Sequence, residues 1–241
     1  MRTWTYGEGL DLINGEFDLT NETFIGDDEM VGFFNHAVQK AAADIYKLGV
    51  EDEYFQNEAA LPMVVGQSDI ALPTDIYANK IRGLIYVNGY EIYEVTRSRR
   101  RKKFLKEAKI RKFAPDARYQ YRLKNTGIAT GTTITLIPAA RDTTSAFLTA
   151  YYIREVSFIP LVSAGSLSAS RATKIDLPEC MEYIFAEVKW RVAKKIPHPD
   201  LDSYKNDRDE MRALMIETLT GQTDDDNTEV EPDLTHYQES S

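Results

Sequence analysis

The chain has 241 residues, 43% of them apolar and 11% aromatic, which is enough for a substantial core and excludes a chain that is disordered throughout. No apolar run reaches about 18 residues and none follows Arg2, so neither a membrane span nor a secretory leader is expected. The net charge of −9 disfavours a general polyanion binder, and the single cysteine, Cys180, excludes an intrachain disulfide and any cysteine-based metal cluster.

Leu10, Ile13 and Phe17 suggest a short amphipathic segment, although Gly7, Gly9 and Gly15 weaken it as a helix. From Asp27 or Asp28 to Gly49 the helical pattern is sustained. Met30, Phe34, Ala37, Val38, Ala41, Ile45 and Leu48 recur every three or four residues, Asp27, Asp28 and Glu29 sit at the positive end of the helix dipole, and Gly49 supplies the stop.

The middle of the chain changes period. Segments rich in Val, Ile, Tyr and Thr, punctuated by Pro and Gly, predict strands over 61–65, 70–72, 81–87, 90–96, 118–124, 132–137 and 146–153. Asn88-Gly89 between two of them predicts a type I′ hairpin, because that turn requires positive φ at both central residues.

Helix returns after residue 166. Asp176, Pro178 and Glu179 read as a cap and first turn, followed by the apolar stripe Cys180, Ile184, Phe185, Val188 and Val192, which Pro197 and Pro199 end. A last helix is predicted from about Asp200 to Gly221, with Leu201, Tyr204, Met211, Leu214 and Met215 on its apolar face. That face suits packing either on the chain's own helices or on a partner. Residues 222–241 hold seven Asp and Glu and no Lys or Arg, too little apolar area to order without a partner. The expected divisions are therefore N-terminal helices over 1–50, a β-domain over 51–165, C-terminal helices over 166–221 and an acidic tail over 222–241, an α+β chain.

Charge is segregated along this layout. Residues 97–113 carry ten cations, Arg97, Arg99, Arg100, Arg101, Lys102, Lys103, Lys106, Lys109, Arg111 and Lys112, against one Glu, whereas the first sixty residues hold thirteen Asp and Glu against three Lys and Arg. Each patch repels itself unless a neighbour, another copy or a polyanion supplies the opposite sign. As a helix the run would set like charges four residues apart, so a projecting arm or long loop is expected. Solvated loop, contact with an acidic surface on another subunit, and contact with DNA phosphates are the open readings. Phe104 and Phe113 are too sparse for base stacking.

No catalytic constellation stands out. His36 lies beside the apolar face of the first long helix, His198 between two prolines and His236 in the tail, with no second ligand at metal spacing. Cys180 falls on an apolar stripe, where an inert buried thiol is the expectation. Gly127 to Gly131 precedes a strand and lacks the Lys and helix start of a phosphate cradle, and Asp224 to Asp226 lacks the Gly and spaced Glu of a calcium loop. Neither an enzyme nor a cofactor is expected.

Several short motifs follow one another along the chain: Asn35-His36-Ala37 in the long helix, Leu72-Pro73-Thr74-Asp75 after a strand, Pro115 and Tyr119 at a strand entry, Ile137-Pro138, Tyr151-Tyr152, and Leu177-Pro178-Glu179 at a helix start. Their order resembles the head-to-tail adaptor, or connector, proteins of tailed bacteriophages. The resemblance covers about residues 10–220. It implies a helical bundle built from both chain ends with an inserted antiparallel β-sandwich or barrel. It also implies a structural virion protein of the neck, assembled in the host cytoplasm as a homo-oligomeric ring of typically twelve copies. Its partners would be the portal protein and tail or neck proteins, with passing contact with genomic DNA and no membrane. Docking on the portal would fall to the C-terminal part, with Tyr204, Met211, Leu214 and Met215 as candidates. The arginine and lysine run is not part of that pattern, and a nucleic-acid-binding protein that uses it is the alternative reading.

Overall fold

In a computed structural model of the protein, the described residues are 2–19, 24–86, 92–94, 119–125, 132–137, 139–140 and 147–226. They form a mixed structure of helices and small sheets in two compact units, Met1–Tyr54 with Val156–Ser241, and Phe55–Glu155.

The first unit draws on both ends of the chain. Helix α1, Tyr6–Phe17, opens with a reciprocal cap: the Glu8 N–H donates to the Thr5 hydroxyl at 3.3 Å while the Glu8 carboxylate accepts the Thr5 N–H at 2.9 Å. The glycines that weaken this helix in isolation let it approach its neighbours. A Cβ at Gly9 would stand 3.0 Å from the Phe34 ring and 3.1 Å from Phe185, and one at Gly7 would stand 3.0 Å from the Arg171 carbonyl. Helix α2, Asp27–Leu48, stops at Gly49 with φ 78°, as the sequence predicts, and buries Met30, Phe34, Ala37, Val38, Ala41 and Ile45. Helix α3, Glu51–Phe55, and the six-residue α4, Leu167–Ala172, are short additions to the sequence reading. Helix α5, Met181–Lys195, turns Ile184, Val188 and Val192 inward. Helix α6, Leu201–Asp226, packs on α5 and α2 through Met215 and Leu219, among others.

Two expectations need correction here. Asp176 does not cap a helix, because Leu177 intervenes in the left-handed region at φ 62° and a 3₁₀ turn, Pro178–Cys180, leads into α5. The Asp176 carboxylate instead accepts the backbone N–H groups of Ser157 and Leu177 at 2.8 and 3.1 Å. The last helix continues through 222–226, which the sequence assigns to the tail; residues 227–241 lie outside the described residues.

The second unit holds two small sheets, neither closed on itself among the described residues. One has the order β1 (Gln56–Pro62), β7 (Phe147–Arg154), β3 (Ile76–Tyr86), all antiparallel. The other has the order β2 (Asp69–Ala71), β6 (Thr132–Ile137), β5 (Gln120–Asn125), β4 (Tyr93–Glu94), antiparallel except for the parallel pairing of β4 with β5. Leu84, Leu148, Ala150 and Tyr152 from the first sheet join Ile70, Tyr121, Ile134 and Leu136 from the second in one core. The described ends of the predicted hairpin fall in β3 and β4. Its arms enter different sheets, linked by a hydrogen bond from the Ile92 N–H to the Leu84 carbonyl at 2.7 Å, and the Asn88-Gly89 turn lies outside the described residues. The predicted strand over 61–65 gives way to β1 at Gln56–Pro62, and Val64 and Val65 are exposed beyond it, ahead of Gly66 at φ 79°. Strand β3 carries an irregularity between Ile76 and Ile81, where Ala78 and Asn79 adopt φ of 47° and 60°.

Candidate functional site

Asn35, Asp75 and Tyr152, picked out in the sequence as motif residues, fasten separate segments by hydrogen bonds. In the first unit the Asn35 amide grips both backbone groups of Ile159, donating to its carbonyl at 2.9 Å and accepting its N–H at 2.8 Å. Ile159 is buried, so this side chain satisfies two groups that water does not reach freely. The same segment is held by Asp28, which accepts the Ser163 N–H at 3.1 Å, and by the Ser170 hydroxyl, which donates to the Pro160 carbonyl at 2.9 Å. In the second unit the Tyr152 hydroxyl donates to Asp75 at 3.0 Å and accepts from the Asn57 amide at 3.1 Å. Burial, and then the bond to Asp75, push the Tyr152 phenol up. Asn35, Asp75 and Tyr152 thus tie segments together, and nothing in their geometry calls for a reaction.

Where α2, α5 and α6 meet, an ion-pair cluster lines a cleft of about 260 Å³. Asp44 takes a two-pronged pair from Arg212, with both nitrogens at 2.8 Å. These hydrogen bonds hold the Asp44 carboxyl below the usual carboxylate range and raise Arg212 further. Fully buried Glu187 accepts from Lys40 at 2.8 Å and from Arg191 at 2.7 Å through one oxygen. Its other oxygen has no hydrogen bond among the described residues, with the Arg208 Nε 4.0 Å away. Arg208 also stacks over Trp190 at 4.3 Å. Burial, followed by Glu187, lifts the Tyr183 hydroxyl to about 12, and burial, reinforced by Arg191 and Lys40, lowers nearby His36. Cations outnumber carboxylates here, Lys40, Lys47, Arg191, Arg208 and Arg212 against Asp44, Glu187 and Asp209, and their pairs link three helices.

A second cleft, of about 120 Å³, lies between the start of α5 and the later turns of α6. Its walls include Cys180, Met215 and Leu219, all buried, with Met211 half-buried and Leu214 exposed. Glu179 and Glu182 stand exposed on its rim. Burial first, and Glu179 next, push both the Tyr54 hydroxyl and the Cys180 thiol up to about 12, so the thiol stays protonated and inert at neutral pH. Both clefts are smaller than the roughly 300–1,000 Å³ of small-molecule sites. Among the described residues no three His, Cys, Asp or Glu side chains gather as metal ligands would.

The proposed docking residues divide. Met215 is buried within its own unit, and Tyr204 packs on Phe17 and His198 with ring centroids 5.2 and 5.3 Å apart. Met211 and Leu214 are left on the second cleft. The ten cations of the arm, from Arg97 to Lys112, lie outside the described residues. Glu179 and Glu182 escape sequence reasoning as a pair, since two acids at a helix start read as ordinary dipole partners; the signal available was their place beside the stripe that begins at Cys180.

Motif residues that fasten segments, and clefts of side-chain size, leave the described residues without a cavity of small-molecule size. The family model described as SU10 adaptor protein matches residues 5–232, and the protein is a structural adaptor of a phage virion. The chain belongs to the SU10 adaptor protein family, a head–tail adaptor family, in agreement with the resemblance carried by its motifs. No curated protein matches it. Family membership implies contact with other virion proteins, and no helix among the described residues is long and apolar enough to cross a membrane.

Proposed function

We propose that the chain forms a closed ring, twelve copies in the manner of connectors, that joins the portal to the tail and surrounds the passage for DNA. The family match over residues 5–232 carries this reading. In it, the helices from both chain ends form a bundle and the two sheets form a sandwich inserted between them. The basic run of residues 97–113 supports a head-to-tail contact, because it can face acidic side chains of the next copy around a closing rotation; of the acids among the first sixty residues, Asp11, Glu16, Glu29 and Asp44 are already paired within the chain, with Arg171, Lys189, Lys195 and Arg212. The end of the chain, from α6 onward, docks on the portal. Each exposed ion pair contributes only about 0–1 kcal/mol, so the arm sets register and association rate more than ring stability.

Native mass spectrometry and negative-stain microscopy of the purified protein, with and without portal, test the ring; monomers or an open helical stack in both conditions would refute it. Removing residues 227–241 is expected to weaken capture by portal while leaving a folded protein, and equal capture would move docking elsewhere. Replacing Arg99, Arg100, Arg101, Lys102 and Lys103 by Ala is expected to leave thermal unfolding unchanged and to impair assembly. If instead the protein binds DNA with a steep salt dependence that these five substitutions abolish, the arm serves nucleic acid.

A further inference from the structure

We propose that the cleft between the start of α5 and α6 is the seat for the basic arm of a neighbouring copy, with Phe104 or Leu105 entering the cleft and the flanking lysines meeting Glu179 and Glu182. The proposal rests on the ring reading and adds the residues through which one copy would hold the next.

Three observations define what the cleft accepts. Its volume, about 120 Å³, suits a side chain rather than a free small molecule. Its floor is apolar: Cys180 and Leu219 are each 2% exposed and Met215 7%, while Leu214 at the lip is 46% exposed, an uncovered leucine beside a hydrophobic floor. Its rim is acidic. Glu179 and Glu182 are exposed and neither forms an ion pair with a described residue. The raised Tyr54 hydroxyl and Cys180 thiol, each at about 12 with Glu179 among the causes, report the same apolar, negative surroundings from two further groups. The fitting ligand is a large apolar side chain flanked by cations.

The chain supplies that ligand. Lys102-Lys103-Phe104-Leu105-Lys106 sets two apolar side chains among three lysines. This makes the cleft and the arm complementary in both charge and polarity, which favours correct pairing and suppresses contact between like patches. A heterologous contact of this kind repeats around a closed ring, with each copy offering one arm and one cleft. If Met211 and Leu214 are covered in this way, portal docking falls to the chain beyond the cleft.

The test uses two full-length variants with reversed charge: Glu179→Lys with Glu182→Lys in the cleft, and Lys102→Glu with Lys103→Glu and Lys106→Glu in the arm. The two cleft positions are exposed, and thermal unfolding checks that both variants fold. Assembly, alone or on portal, is followed by native mass spectrometry and sedimentation. Each variant by itself is expected to assemble at least tenfold more weakly than wild type, and an equimolar mixture is expected to recover rings in which the two variants alternate. Phe104→Ala with Leu105→Ala is expected to weaken assembly at least tenfold with the charges kept. Normal assembly of the cleft variant overturns the proposal and leaves the ring reading intact. Loss of portal capture by a cleft variant that still forms rings assigns the cleft to the portal and also overturns it. A mixture that stays unassembled shows that arm and cleft do not meet between copies. Absence of rings in wild type, with and without portal, brings down the ring reading and this contact together.

Discussion

Replacing Asn35 by Ala removes a clamp whose two bonds end on one buried residue. Ile159 is 3% exposed, and without the amide its N–H and carbonyl have no substitute partner on the Ala side chain. A buried backbone group left unsatisfied costs about 1–3 kcal/mol. Asn35 itself is only half-buried, so some water reaches the site, and the expected loss is about 2–4 kcal/mol for the pair. With about 2–4 °C per kcal/mol for a chain of roughly this size, the melting temperature should fall by about 5–15 °C. Circular dichroism melts of purified protein give the number. Gln39→Ala, at an exposed position of the same helix, serves as the control and should stay within about 0.5 kcal/mol. Asn35→Asp refines the test. It keeps the acceptor for the Ile159 N–H but sets a carboxylate against a carbonyl, which raises the folded-state pKa of the new acid. Its deficit relative to wild type is then full at neutral pH and narrows as pH falls and the acid gains a proton to donate. A change of under 2 °C for Asn35→Ala would show that the clamp is decorative.

Three further outcomes follow from the geometry. Ala78→Gly should raise the denaturation midpoint, because left-handed φ strains an alanine by about 1–2 kcal/mol and glycine's greater unfolded entropy offsets only about 0.4–1 of that; a lower midpoint would mean that the local backbone is held differently. Gly9→Ala should destabilise by about 1–2 kcal/mol despite alanine's better helix propensity, since the added methyl meets Phe34 and Phe185 at 3.0 and 3.1 Å; a stabilised variant would show that α1 has room to move away. Asp44→Ala should lose about 2–3 kcal/mol at neutral pH in urea titrations. Because Arg212 depresses the folded-state pKa of Asp44, the pair's contribution is present above the unfolded pKa of about 4 and disappears as pH falls through the folded value, so the two proteins should converge in acid; a gap independent of pH would assign the loss to packing.

Helix α2 was legible because one periodic face, an acidic first turn and a terminal glycine all point the same way. Strand β1 was not: Gln56-Asn57-Glu58-Ala59-Ala60 has little β-propensity, and pairing with β7 along a single edge holds it extended. Composition drew attention instead to Val64 and Val65, which lie exposed past the strand's end. Gly7 and Gly9 counted against α1, since propensity records what a glycine costs a lone helix and says nothing of the neighbour it lets in. The motifs located Asn35, Asp75 and Tyr152 but not their roles, because the partner of Asn35 is a backbone segment 124 positions away. Arg212 presented the same difficulty. It belongs to a polar helix, and only tertiary packing brings it to Asp44, 168 positions earlier.

The division of the first unit between both chain ends has a consequence during synthesis. Helices α1 and α2 leave the ribosome long before α5 and α6, which cover their apolar faces, and all of residues 55–155 must be made in between. At about 5–20 residues per second, the nascent N-terminal helices wait on the order of 5–20 seconds with Phe34 and Ile45 uncovered. The intervening unit, whose strand pairs all lie within it, can meanwhile fold as a plug of local structure. Ribosomes stalled once residue 155 has cleared the exit tunnel would therefore display a folded middle and an unsatisfied beginning, the form of this protein most exposed to chaperones and to aggregation.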